Sequence, residues 1–446
     1  MKETECEEET EQTLLRLVEL QAGILQLVLN WKKTSSLDVN ANTWWEIFQD
    51  PILSQLMQQL NQENLSLKQA EARYQQANAL LEQQRANRLP SLKLNGSAQR
   101  SGTKDSTPNN QFTTGVQVSW IPDLWGRVAK AIEGQQANLE ASQADLAAIK
   151  LNQQLLGTET YWNIRVLDAQ LDVLRQTQNS YQRSVKILNN QYVAGMIARA
   201  DVIQAETQLK QVQIQQIETQ RKRDLQENIL AVVQGKTVAQ FQLAKQEQHF
   251  KVPLLPTQLP SRMLIQRPDV IRAERELAAT HAQLGLAQTA WLPDLSIGLT
   301  GELNSRVLSQ LFQAPQYLWS TGLQTTALIF DGEKRKAEIA QAQASYAEKA
   351  AAYRQAVLTG WKEVEDALLQ SSSFKQQQSE QAQLFKLALE NEQVVTRRYN
   401  AGLVSYLEVV TAQNLTLQAE QATLQLKQLQ LKNTAQLIAA LGGNIS

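Results

Sequence analysis

Two stretches of strict alternation between apolar and polar residues interrupt a chain that otherwise repeats at the helical period. In the first, Leu92, Leu94, Gly96 and Ala98 alternate with Ser91, Lys93, Asn95 and Ser97; after a polar turn over Gly102 to Asn110, Phe112, Thr114, Val116, Val118 and Trp120 alternate with Thr113, Gly115, Gln117 and Ser119. In the second, Leu295, Ile297 and Leu299 stand opposite Ser296, Gly298 and Thr300, and a return strand of Leu323, Thr325, Ala327 and Ile329 follows a connection through Pro315. Period two turns one face of a strand to an apolar medium and the other to water, so the pattern predicts two β-hairpins, about 90–121 and about 293–330. Each strand has roughly ten residues, the length that crosses a bilayer when tilted in a barrel. Four strands cannot close a barrel alone. Edges left unpaired in lipid cost several kcal/mol per backbone group, so three or more chains must share one barrel.

Helical periodicity fills the rest. An alanine-rich amphipathic helix precedes each hairpin, Asn64 to Arg88 and Pro268 to Trp291, and Leu89-Pro90 and Leu292-Pro293 end them because proline disfavours helix before it and cannot donate the backbone bond. After each hairpin comes a very long helical pair. One heptad seam is predicted over Ala144, Ala148, Leu151, Leu155, Thr158 and Trp162, and another over Ala340, Ala344, Ala347, Ala351, Arg354, Leu358, Trp361, Glu365 and Leu368. Helices of about 65 residues reach roughly 100 Å at 1.5 Å per residue, longer than a compact domain of this mass needs.

The chain also repeats itself. Tyr192-Val193-Ala194-Gly195-Met196 returns 207 residues later as Tyr399-Asn400-Ala401-Gly402-Leu403, Leu89-Pro90 returns after 203 as Leu292-Pro293, and Gly126 returns after 206 as Gly332. A near-constant offset means two tandem copies of one unit. The organisation predicted is an atypical N-terminal segment over 1–41, a first repeat over 42–250 with a helical turn at about 194–196, and a second over 251–446 with a turn at about 401–403. Overall this is an α+β chain, mainly α.

Composition removes alternatives. With 43 Lys+Arg against 44 Asp+Glu the net charge is -1, and no basic run suggests a surface that tracks phosphates, so nucleic acid is not an expected partner. One cysteine, Cys6, and two histidines, His249 and His281, build neither a disulfide framework nor a Cys/His metal cluster, and no metal or other cofactor is expected. No nucleophile constellation, glycine-rich phosphate loop or paired catalytic acids stand out, so catalysis is not expected. No run of about 18 apolar residues predicts a membrane-spanning helix. Met1 to Ala41 lacks a basic secretory n-region, and Cys6 lies in Glu5-Cys6-Glu7 without the small apolar residues that precede a lipidated cysteine.

Several motifs then occur in a recognisable order: Trp44-Trp45-Glu46-Ile47-Phe48-Gln49-Asp50-Pro51, Ser119-Trp120-Ile121-Pro122-Asp123-Leu124-Trp125-Gly126-Arg127, Leu259-Pro260-Ser261-Arg262 through Arg267-Pro268-Asp269-Val270, Ile329-Phe330-Asp331-Gly332 and Arg398-Tyr399-Asn400-Ala401-Gly402. With them, residues 42 to 443 resemble the TolC-like outer-membrane efflux proteins, in particular the OprM/NodT-type lipoprotein branch. The resemblance implies a homotrimer with a twelve-stranded transmembrane β-barrel continued by a long periplasmic α-helical barrel. It implies an exit duct across the outer membrane of a Gram-negative bacterium, in contact with outer-membrane lipid. It also implies a periplasmic membrane-fusion adaptor and an inner-membrane RND-type or other pump, which supplies the energy.

The same resemblance implies roles for single residues. Gly195, Met196, Gly402 and Leu403 match the tips that meet the adaptor, although glycine at a turn between antiparallel helices also serves backbone geometry alone. Glu408 matches an acidic constriction ring. Thr411 stands where that ring has a second acid, and Leu407 matches an apolar ring that gates by excluding water. Tyr399 and Asp201 match residues that tie neighbouring helices shut, through a phenol-to-carboxylate hydrogen bond. Solvated helix surface is the competing reading for Asp201 and Glu408. Arg267 and Asp269 read as a helix start. Because the start supplies neither leader nor lipidation signal, a wrong start, a replaced leader, a non-exported degenerate relative and a soluble coiled-coil scaffold all stay open. The hairpins discriminate: a channel needs Leu92, Val116, Ile297 and Leu323 on one continuous outer band, whereas a scaffold packs them under helices.

Overall fold

Asp50 and Pro51 start the first helix as the sequence suggests: the Asp50 carboxylate accepts from the N–H groups of Ile52 and Leu53 at 2.9 and 3.0 Å, and proline takes the first helical position. In the computed structural model, which describes residues 43–104, 108–246, 250–253, 266–313 and 317–443, eleven principal elements follow among the described residues. They are α1 (Pro51–Glu63), α2 (Leu65–Ala86), β1 (Ser91–Ser101), β2 (Asn109–Trp120), α3 (Arg127–Val193), α4 (Arg199–Val233), α5 (Pro268–Gln288), β3 (Asp294–Ser305), β4 (Tyr317–Thr326), α6 (Lys334–Asn400) and α7 (Tyr406–Ala440). Short 3-10 turns occupy Trp44–Phe48, Val238–Gln240, Thr289–Trp291 and Leu308–Gln310. The order helix, hairpin, very long helix, shorter helix occurs twice, and the copies match in length: α3 and α6 have 67 residues each, α4 and α7 have 35 each. Sixty-seven residues span about 100 Å.

Several sequence expectations fall on residues outside those described: the segment 1–41 with Cys6, His249, the motif from Leu259 to Ile265, and Pro315 in the second hairpin connection. His281 lies with its ring 5.8 Å from that of Tyr346, a packing contact.

The chain divides into two compact units. Of the described residues, the first comprises those up to 69, from 147 to 270 and from 357 onward, and the second those in 70–146 and 271–356, so each draws on both sequence halves. In the first unit, Trp44, Trp45, Phe48, Leu53, Met57, Leu60, Tyr161, Trp162, Leu230, Val233, Leu431 and Ile438 form a shared apolar core. Burying such side chains contributes about 1.5–3 kcal/mol each. Trp44 donates to the Gln154 side chain at 3.1 Å, and Tyr161 donates to the second Asp50 oxygen, so the aromatic cluster is tied to the cap of α1. Burial, reinforced by that hydrogen bond, pushes the Tyr161 phenol above its ordinary range. Arg267, 6% exposed, donates to the carbonyl of Ala440 at 2.8 Å and to the carboxylates of Asp269 and Glu363. Burial alone would raise the Asp269 carboxyl, but the paired guanidinium outweighs it and holds the group below the usual range. The helix start read from Arg267-Pro268-Asp269 is therefore also a fastening for the end of α7.

The second unit holds one antiparallel sheet in the order β1-β2-β3-β4. Its register settles the faces. Leu92 pairs with Val118, Leu94 with Val116, Val116 with Gly301, Trp120 with Ile297 and Ile297 with Leu323. Directly paired residues share a face, so these side chains, with Leu295, Leu299 and Trp319, make one apolar surface. Leu92, Leu94, Val116, Trp319 and Leu323 are exposed, with Leu94 at 80%. The opposite face carries Lys93, Asn95, Ser97, Thr113, Gln117, Thr300, Glu302, Ser320 and Gln324. Gly115 is required where the strands approach most closely: a Cβ there would lie 2.5 Å from the Gly301 carbonyl oxygen and 2.9 Å from Glu302.

Two sequence expectations need correction. The return strand ends at Thr326, opposite Asp294, so Ala327 and Ile329 lie beyond it. Pro293 precedes the first residue of β3 and cannot donate to a ladder, which leaves residues after Thr326 without a pairing partner. The seam of α3 is on the inward side, with Thr158 0% and Trp162 4% exposed. That of α6 holds only in part: Trp361 and Leu368 pack half-buried against the core of the first unit, but Ala340, Ala344, Ala347, Ala351, Arg354, Leu358 and Glu365 are exposed, and the fully buried positions are Gly360, Val364 and Ala367, one residue earlier in the frame. A helix with alanine on several faces offers more than one heptad frame, and the pattern alone does not choose between them.

Candidate functional site: the helical tips

Each long helix ends in the same turn. At the first tip the N–H of Gly195 bonds to the Tyr192 carbonyl and that of Met196 to the Gln191 carbonyl, both at 2.9 Å. At the second, Gly402 bonds to Tyr399 at 2.9 Å and Leu403 to Arg398 at 3.0 Å. Both glycines sit at φ 72°, which completes a Schellman turn that a side chain would strain. A Cβ at either glycine would meet nothing within 4 Å, so backbone conformation and not space demands glycine. Gly402→Ala is expected to cost about 1 kcal/mol, read as faster amide exchange confined to the turn around residue 402.

Beside these turns, Leu188, Val202, Ala205, Val395, Tyr406, Val409, Val410 and Ala412 bury one another, with Tyr399, Ile197 and Val404 packed at the edge. The cluster sets the orientation of α4 and α7 at their first turns. Tyr399 and Tyr406 meet edge to face at 5.6 Å. Burial raises the Tyr399 phenol above its ordinary range, and the negative charge of Asp201 adds to the effect. Asp201 and Tyr399 are thus electrostatically coupled, but no hydrogen bond joins them among the described residues; the ring of Tyr399 is held by Tyr406 instead. Burial likewise raises Tyr406, which hydrogen-bonds with Ser184.

Leu407, Glu408 and Thr411 lie on another face of α7. Tyr406, Val409, Val410 and Ala412 point into the cluster, while Leu407 is 59% exposed and Glu408 and Thr411 are also exposed. The Thr411 hydroxyl donates to the Leu407 carbonyl at 2.9 Å, a bond within the helix, so its side chain is turned back on its own backbone. Met196 and Leu403 project from the turns at 72% and 69% exposure. The fold therefore brings Tyr399 and Asp201 together, sets Leu407, Glu408 and Thr411 as an outward row, and presents two apolar tips.

Sequence reasoning passed over two features. Tyr406, 5% exposed, is the partner that positions Tyr399. A buried ion network in the first unit joins Arg223 to Asp168 at 3.0 Å and to Glu227, while Arg165 lies 3.7 Å from Asp168 and 4.9 Å over the Tyr161 ring. Arg223 and Arg165 also donate to the carbonyls of Leu243 and Ala244, both at 2.7 Å. The pairs Arg165/Asp168 and Arg223/Glu227 stand at helical i,i+3 and i,i+4 spacing, and that signal reads equally well as a solvated face.

A sheet with one apolar and one polar face, open at both edges, together with paired long helical hairpins, defines a channel-forming class of outer-membrane protein. The profile of the family described as "Outer membrane efflux protein" matches residues 56–236 and 259–443, and the chain belongs to that family, whose members are transport channels of the outer membrane. The solvent efflux pump outer membrane protein SrpC of Pseudomonas putida is 30% identical over 416 residues, covering 90% of this chain and 87% of SrpC. The cation efflux system protein CusC of Escherichia coli O6:H1 is 28% identical over 404 residues, covering 90% of this chain and 88% of CusC. Among solved structures, one of CusC superimposes with a TM-score of 0.84 at 25% identity over 93% of this chain and 95% of that one. The Campylobacter jejuni CmeC outer membrane channel shares the fold with a TM-score of 0.86 at 22% identity, covering 94% and 91%. The channel expectation thus holds, and the coiled-coil scaffold gives way.

Proposed function

We propose that three copies of this chain form the exit duct of a tripartite efflux system, each giving four strands to a twelve-stranded barrel and its long helices to a periplasmic α-helical barrel. The observation that carries this reading is the register of the sheet. Leu92, Val116, Ile297 and Leu323 fall on one face, the face is exposed on the single chain, and β1 and β4 have no partner on their outer edges among the described residues. In lipid those edges demand closure, and further copies of the same sheet supply it. Trp120, Trp125 and Trp291 lie at the helix end of the strands, and Phe112 and Tyr317 toward the other end, where interfacial aromatic belts belong.

In this reading residues 42–250 and 251–446 are tandem halves, each ending its long hairpin in a tip. Gly195, Met196, Gly402 and Leu403 form the surface for a periplasmic adaptor, and the adaptor couples the duct to an inner-membrane pump of RND or other type. Leu407, Glu408 and Thr411, exposed on α7, face the axis at the closed end. Tyr399 and Asp201 steady the helices behind them. SrpC is named for solvents, CusC for cations and OpmQ of Pseudomonas putida for pyoverdine export. That range fits a duct whose cargo is chosen upstream.

Single-channel recording tests the gate. The wild type is expected to show small, cation-preferring steps in a planar bilayer, because three carboxylates around a narrow axis attract cations. Glu408→Ala is expected to lower the cation preference, and Tyr399→Ala to enlarge the steps by loosening the packing with Tyr406. An unchanged cation preference in Glu408→Ala and unchanged steps in Tyr399→Ala would remove these residues from the gate while leaving the duct.

A further inference from the structure

We propose that Lys93 and Glu302 form two opposed, mutually compensating charged rings in the barrel lumen and together keep the barrel indifferent to the sign of its cargo. The proposal rests on the trimeric barrel reading and extends it to the charge selection of the strand region, separate from the helical tips.

The strands carry few charges. Lys93 and Arg100 lie on β1, Asp294 and Glu302 on β3, and β2 and β4 carry none. Arg100 shares the alternation of Leu92 and Leu94 and so belongs to the apolar face, near the far end, opposite Asn110. Asp294, at the helix end, is paired with Arg127. The polar face otherwise carries hydroxyls and amides, Asn95, Ser97, Thr113, Gln117, Thr300, Ser320 and Gln324, with glycines and one exposed leucine, Leu318, beside Glu302. Among the strand residues, Lys93 and Glu302 are therefore the two charges left to act on the lumen.

Their positions are set by register. Lys93 pairs with Gln117, and Gln117 with Thr300, while Asn95 pairs with Gly115, and Gly115 with Glu302. The two charges thus occupy neighbouring rows, two residues apart along the strands, or about 6.6 Å of rise. Lys93 is exposed, but Glu302 is half-buried because its side chain lies against the sheet in the space that Gly115 leaves open. With three chains, a ring of three ammonium groups lies beside a ring of three carboxylates, and their fields oppose one another along the axis.

Such compensation is visible only where screening is weak. The Debye length is about 30 Å at 0.01 M salt and about 3 Å at 1 M. The test is the reversal potential of single channels in a KCl gradient around 0.01 M, in a Glu408→Ala background so that the tip carries no acid at that position. Lys93→Gln is expected to raise the cation-to-anion permeability ratio by about twofold or more and Glu302→Gln to lower it comparably. The double variant is expected to return near the starting value, and all differences are expected to vanish at 1 M. Two single variants with unmoved reversal potentials at low salt, or with shifts of the same sign, would overturn the proposal. A chain that inserts no channel would overturn the barrel reading itself, an outcome distinct from channels that conduct with unmoved selectivity.

Discussion

Val116→Arg is expected to abolish outer-membrane assembly, whereas Gln117→Arg, one residue on, is expected to leave assembly intact. Val116 sits mid-strand in the row Leu94–Val116–Gly301–Trp319 on the exposed apolar face. A lipid-facing arginine near the bilayer midplane costs roughly 2–4 kcal/mol, and a trimer carries it three times, roughly 6–12 kcal/mol per assembly. Gln117 lies on the opposite face beside Lys93 and Thr300, where a charge meets water. The measurement is the amount of oligomer in the outer-membrane fraction, resolved by unheated gel electrophoresis. Equal assembly of both variants would mean that the apolar face does not meet lipid.

The second large effect is expected at Arg223. It is 5% exposed and joins Asp168, Glu227 and the Leu243 carbonyl, and Glu227 in turn accepts the N–H of Leu243. Burial alone would weaken its charge, but the two carboxylates overcome that and hold the guanidinium protonated. Arg223→Ala leaves Asp168, 2% exposed, facing only Arg165, and breaking a buried pair in this way costs about 3–5 kcal/mol. Thermal unfolding followed by the helical circular dichroism signal should show a large fall. Asp224→Ala, at an exposed neighbour, should scarcely move it. Arg223→Lys keeps the charge but not the planar fork, and should fall between them. A fall for Arg223→Ala no larger than for Asp224→Ala would show the network to be energetically neutral.

How far such features can be read in advance depends on whether one interaction or several competing ones decide them. The hairpins were legible because period two has one consistent solution: a slip of one residue would turn every apolar side chain of β1 and β2 to the other face. The tips were legible because Gly195 and Gly402 answer a local backbone requirement within one turn. The seam of α6 was legible only at Trp361 and Leu368, since Ala340, Ala344, Ala347 and Ala351 and the frame of Gly360, Val364 and Ala367 are both apolar sequences at heptad spacing. Choosing between them needs the neighbouring helices. Residues that act through partners distant in sequence were equally hidden, among them Tyr406 against Tyr399 and Arg223 against Asp168, 55 positions away.

By itself, then, the sequence determined the element types, the tandem order, the glycine turns and the two-faced strands, all of which follow from backbone sterics and from the period at which apolar residues recur. The tertiary structure decided the seam of α6, the end of β4, the packing that holds Tyr399, and the burial of Arg165 and Arg223, whose helical spacing is that of surface ion pairs. Each of these depends on which surface lies opposite, and a one-dimensional pattern carries no information about what covers a given face.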